Sequence, residues 1–144
     1  MTLAASGTKE NGESYVNVYK LFGSDWISFA TFDSTDNHNI SIYNELYLMD
    51  YETGKVERLT NHLGYDGGPF FDYSGEKVCW RRFSPDGHNA EIYVMSLKTR
   101  KERKITHLNA MSWAPFFHPS DKYIIFSEYK FTSSSIIRFL SANI

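Results

Sequence analysis

The chain has 144 residues, enough for one domain with a real core. Its charge is nearly balanced, 15 Lys and Arg against 17 Asp and Glu, so no whole-protein field draws it to nucleic acid or to an anionic membrane surface. Ten Tyr, eleven Phe and three Trp favour pleated, half-buried surfaces and an all-β chain, while the single Cys79 excludes an intrachain disulfide framework.

Met1 to Ser14 is polar, contains glycine and has no periodicity, which predicts a disordered N-terminal tail over 1–14. It lacks the charged n-region and apolar h-region of a secretory signal, and no window approaches the roughly 18 apolar residues of a membrane span. As written, the chain is expected in the cytoplasm without membrane contact, or in the periplasm if its N-terminus has been trimmed. Tyr15 to Leu21 and Asp25 to Phe32 read as strands, followed by a long loop from Asp33 to Asn39. Ile42 to Asp50 is an apolar strand, Tyr51 to Gly54 a turn, and Lys55 to Thr60 a polar strand. Gly64 to Gly68 reads as a loop, Pro69 to Asp72 as a short strand, Tyr73 to Glu76 as a turn and Lys77 to Phe83 as a strand. Glu91 to Leu97, Lys101 to Thr106, Trp113 to Phe117 and Lys122 to Ser127 repeat that order, and Ile137 to Leu140 begins another turn of it.

The repetition is in register. Glu45-Leu46-Tyr47-Leu48-Met49 returns as Glu91-Ile92-Tyr93-Val94-Met95, and Gly68-Pro69-Phe70-Phe71 as Ala114-Pro115-Phe116-Phe117, both 46 residues on. Four strands in a period of this length is the arithmetic of a propeller blade, in which no unit buries its own faces and each stacks on a copy. The expected architecture is an all-β partial β-propeller of about three four-stranded antiparallel blades: a degenerate one over 15–60, one over 61–106, and an incomplete one over 107–144 without its outer strand.

The segments Gly68-Pro69-Phe70-Phe71, Glu91-Ile92-Tyr93-Val94-Met95 and Arg58-Leu59-Thr60 resemble the WD40-like propeller repeats of the TolB family, and the resemblance spans about residues 25–128. Tyr65 to Phe71 with Cys79 to Phe83 is especially similar to TolB-like propellers that sit beside metallopeptidase domains; no peptidase segment is present in this chain. Phe83-Ser84-Pro85-Asp86-Gly87 looks like the family's signature turn, but the register puts it between the second and third strands. The resemblance implies fold more than function, because propellers host unrelated activities. Family members close full rings, and an arc of three blades leaves sheet faces and edges uncovered. A homodimer that closes the ring is therefore expected, against a truncated arc patched by its own tail.

No Gly-rich phosphate loop, Gly-x-Ser-x-Gly elbow, His-Glu-x-x-His or paired-cysteine spacing occurs, so no catalytic residue and no cofactor is expected. Cys79, inside an apolar strand, reads as inert packing. Loops that enter first strands and loops that join second to third strands share one rim, which collects His38, His62, His88 and His107 with Asp36, Asp66 and Asp86. Such a rim can bind a metal or a polar ligand; the plainer explanation is that propeller loops are polar. Arg81 and Arg82 are candidates for anion recognition through guanidinium forks, or else pair with Glu45 or Glu91 and stack on an aromatic ring. Trp113 stands where the earlier copy has Gly67 and is either a ligand platform or inter-blade packing. These features point to a non-catalytic binding module for a protein or peptide. The alternatives are an accessory propeller for a separately encoded peptidase and a sugar-binding propeller using Trp113, Tyr65 and rim carboxylates.

Overall fold

The computed structural model describes the backbone of residues 7–8, 14–20, 26–32, 44–50, 53–130 and 136–144, and the side chains of 45–50, 53–130 and 140–144. Every regular element among them is a strand, and no helix is long and apolar enough to cross a membrane. The strands form a partial β-propeller of three blades. The first blade runs β2 (Ser14–Lys20), β3 (Trp26–Phe32), β4 (Asn44–Asp50) and β5 (Val56–Arg58), all antiparallel, with β1 (Gly7–Thr8) added to the edge of β2. Gly7 and Thr8, expected within a disordered tail, thus pair with Tyr15 and Ser14.

The second blade is β6 (Asp66–Phe71), β7 (Lys77–Phe83), β8 (Ala90–Ser96) and β9 (Glu102–Lys104). The third is β10 (Met111–Phe117), β11 (Tyr123–Lys130) and β12 (Ile136–Asn143). One parallel bridge, Met111 to Ala90, supported by a 3.0 Å hydrogen bond from Ala90 N to Ala110 O, ties the start of the third blade to the second. Loops 61–65, 84–89 and 107–110 consequently lie at one end of the blades. The turn Ser84 to Asn89 joins second strand to third, as the register requires.

Strand β7 shows why the core needs stacked blades. Its successive side chains point to opposite faces, yet Val78, Cys79 and Trp80 are all fully buried, so both faces are covered. Val78 and Trp80 pack with Leu46 and Met95 against the first blade; Cys79 joins Ile92, Val94, Phe117, Ile124 and Phe126 against the third. A strand covered on both sides reads as a continuous apolar run rather than an alternating one.

The backbone repeats even where the residue type does not. Gly54, Gly68 and Gly75 have φ of 69°, 66° and 73°, and their counterparts 46 residues on, Arg100, Ala114 and Asp121, have φ of 57°, 49° and 54°. The left-handed conformation therefore belongs to the blade geometry, and in the later copy residues with a Cβ adopt it at a cost of roughly 1–2 kcal/mol each. At Gly68 this conformation forms part of a bulge between Gly67 and Phe70, which lets β6 begin at Asp66, earlier than the glycines suggest.

A buried polar clasp repeats as well. Leu46 N donates to Thr60 Oγ1 at 2.9 Å, and that hydroxyl donates to Glu45 Oε2 at 2.5 Å. One period later, Ile92 N donates to Thr106 Oγ1 at 2.8 Å and Thr106 donates to Glu91. Each clasp sits where the chain leaves the outer strand, satisfying a buried backbone donor and a nearly buried carboxylate together.

Candidate functional site

The expected rim exists as a common end of the blades, but its members differ in kind. His62, His88 and His107 are solvent-exposed. His88 Nδ1 lies 3.5 Å from Asp86 Oδ2, and Asp86, which accepts bonds from Ser84 Oγ and His88 N, is held below the usual carboxylate range by the Ser84 hydroxyl first and the His88 backbone second. His38 and Asp36 lie outside the described residues. Among the described residues no three His, Cys, Asp or Glu side chains converge as a metal site would require.

Asp66 differs from the sequence-based expectation of a rim carboxylate open to ligand. It is 1% exposed and receives two hydrogen bonds from Arg82, Nε to Oδ1 at 2.7 Å and Nη2 to Oδ2 at 2.8 Å. Burial pushes its carboxyl above the ordinary value while the Arg82 bonds pull the other way. Arg82 itself is buried, stacks over Tyr93 with Cζ 4.5 Å from the ring centroid, and takes Glu102 as a second partner through bonds of 2.7 and 3.1 Å. All its edges are occupied, so it is not available for anion recognition. Nor are Glu45 and Glu91 its partners: Glu45 binds Arg58 at 2.8 Å and Glu91 faces Lys104 at 3.5 Å, each within its own clasp.

Arg81 points to the opposite face of β7 and has a different environment. Its Cζ lies 3.7 Å from the Trp113 ring centroid and 5.2 Å from that of Tyr65, and Nη2 donates to the Tyr65 hydroxyl at 3.1 Å. Nε is buried without a hydrogen-bond partner, and no carboxylate among the described residues pairs with this guanidinium. Phe83 completes the frame, edge-on to Tyr65 at 5.2 Å and to Trp113 at 6.0 Å. Trp113 remains 43% exposed, so it packs between blades and still faces solvent. The two glycines of β6 make the space. A Cβ at Gly67 would fall 2.4 Å from the Tyr65 ring, and one at Gly68 would fall 3.1 Å from Arg81 Nη1.

Two features were not singled out from the sequence. Stepping Asp66 and Arg82 by 46 residues gives Ser112 and Glu128, so the buried ion pair of the second blade becomes a hydroxyl and a carboxylate in the third; Glu128 is 3% exposed, with Lys130 Nζ at 3.2 Å. The register that reveals the repeat would have shown this exchange. The other is a pair of exposed apolar side chains on the third blade: Ile125, 39% exposed, and Phe116, 41% exposed with its ring edge-on to Phe70 of the second blade at 5.4 Å.

No family model matches the chain. The Tol-Pal system protein TolB of Francisella tularensis subsp. mediasiatica is 32% identical over 61 residues, which cover 42% of this chain and 14% of the relative. The match thus spans a small fraction of the curated relatives' length. A TolB-type protein of Agrobacterium tumefaciens superposes with a TM-score of 0.72 at 18% identity, over 98% of this chain and 57% of that one. The β-propeller domain of the trilobed protease from Pyrococcus furiosus, which has an open velcro topology, superposes with a TM-score of 0.62 at 10% identity over 97% and 38% of the two chains. At such identities the likeness shows the fold.

Proposed function

We propose that the chain, a partial propeller with TolB-like repeats, is a non-catalytic interaction module whose open blade faces are closed by a second copy. One observation carries this reading. Cys79 and Ile125 are the same position in successive blades, and so are Phe70 and Phe116. Cys79 is fully buried because β10 and the rest of the third blade lie over it; Ile125, over which no described strand lies, is 39% exposed beside Phe116. The third blade therefore offers the surface on which a blade already packs elsewhere in the chain.

In the closed assembly β2 of the partner takes the place that β10 takes on the second blade. The two junctions of such a ring are identical by two-fold symmetry. Replacing Ile125→Cys tests the placement, since the native thiol of Cys79 is buried and leaves the introduced one as the reactive group. Maleimide labelling of the introduced thiol is expected to slow as protein concentration rises. A rate independent of concentration, with the fold intact, contradicts the reading.

A further inference from the structure

We propose that Arg81, framed by Trp113 and Tyr65, is a binding point for a carboxylate group, and that the carboxylate belongs to the C-terminus of a peptide ending in an apolar residue. This stands apart from ring closure, because the group lies at the rim between the second and third blades and not on the open face of the third.

Among the described residues Arg81 lacks the counter-charges that its neighbour has. Arg82, its neighbour, has four hydrogen bonds to two carboxylates. Among the described residues Arg81 has one, to the Tyr65 hydroxyl, and a buried Nε with none. A guanidinium desolvated on one face by an indole and left without a counter-charge gains from an anion that reaches its remaining edge, and a planar two-oxygen carboxylate fits that edge. The stacking on Trp113 fixes the plane of the guanidinium and the Tyr65 hydroxyl fixes its rotation, so little side-chain freedom is lost on binding.

Among the described residues the arrangement occurs once. Forty-six residues on, Ser127 replaces Arg81, Trp113 and Ala114 replace Gly67 and Gly68, and Met111 replaces Tyr65. A blade needs none of Tyr65, Gly67, Gly68 and Arg81 to stack, since the third blade folds without them. The walls around Arg81 indicate what adjoins the carboxylate. Tyr65, Phe83 and Trp113 present aromatic surface, which suits an apolar side chain next to the charge better than the hydroxyls of an acidic sugar.

The probe is acetyl-Ala-Leu with a free C-terminus, titrated into the full chain while the Arg81 Nε–H and Trp113 indole N–H resonances are followed by NMR. Both are expected to shift with the acid, and the same peptide as its C-terminal amide is expected to bind at least about tenfold more weakly. Arg81→Gln is expected to abolish the response and Arg81→Lys to weaken it, because lysine keeps the charge and loses the fork. Equal binding of acid and amide to the native chain overturns the proposal without relying on any variant. So does a response to trigalacturonate in place of the peptide, no response to either at millimolar concentration, or an unchanged response in a folded Arg81→Gln protein.

Discussion

Replacing Arg82→Ala strikes the buried ion pair at the heart of the second blade, and its cost can be worked from the contacts. The guanidinium makes two bonds to Asp66, of 2.7 and 2.8 Å, and two to Glu102, of 2.7 and 3.1 Å. Glu102 has a side chain 40% exposed and recovers water when its partner leaves, so its half of the loss is small. Asp66, 1% exposed, has no such recourse, and stranding a buried charge in this way costs about 3–5 kcal/mol. That is a large share of the roughly 5–15 kcal/mol that holds a typical domain together. The loss depends on pH with a definite sign. Burial already raises the Asp66 carboxyl above its ordinary 3.8, and without Arg82 opposing it the value rises further. The folded variant then holds a proton that the unfolded chain releases, so its stability is retained below about pH 4 and falls as pH rises through the elevated value. Urea unfolding at one fixed protein concentration, at about pH 4.5 and pH 7, measures this. A deficit below about 1 kcal/mol at neutral pH, or one that does not grow with pH, refutes the reasoning. Combining Asp66→Leu with Arg82→Met is expected to recover most of the loss, because both charges leave together.

Thr60→Val and Thr106→Val each remove a clasp and leave a buried backbone N–H and one carboxylate oxygen without their partner, so each is expected to cost about 1–3 kcal/mol in urea unfolding, with similar values at the two positions. Ala114→Gly relieves a left-handed backbone worth about 1–2 kcal/mol against a glycine entropy cost of about 0.5–1 kcal/mol, and a small rise in melting temperature is expected; a clear fall would mean that the positive φ carries no strain. Burial pushes the Cys79 thiol far above its ordinary value, with its hydrogen bonds to Phe70 and to its own backbone opposing. Iodoacetamide at mildly alkaline pH is therefore expected to spare Cys79 in the folded chain and to modify it in urea, as read by mass spectrometry.

The blades were legible because the chain states the same hydrophobic register twice, and a period near 46 admits few architectures. Strand β7 could be placed from Val78-Cys79-Trp80 alone, since only a strand covered on both faces leaves such a run. Single residues were harder. Gly67 and Gly68 read as loop, but the bulge they form carries β6 back to Asp66 and buries that carboxylate. Adjacency in sequence made Arg81 and Arg82 look like one feature, whereas strand alternation sends them to opposite faces, one into an ion pair and the other against Trp113. The partner of Arg82 was missed because Glu102 lies two strands away across the blade, a distance that local pairing rules do not reach. Uncovered sheet faces were expected, but Ile125 and Phe116 were not picked out, because Ile124-Ile125-Phe126 is a continuous apolar run like that of a strand covered on both faces and only the packing shows which face lacks a neighbour.

The mass of the native chain in solution tests the central claim most directly. Sedimentation equilibrium at micromolar concentration is expected to give a species of twice the 16.7 kDa chain mass, with Ile125→Lys returning it to a folded single chain. A native chain that is folded and sediments at 16.7 kDa throughout that range would contradict the account.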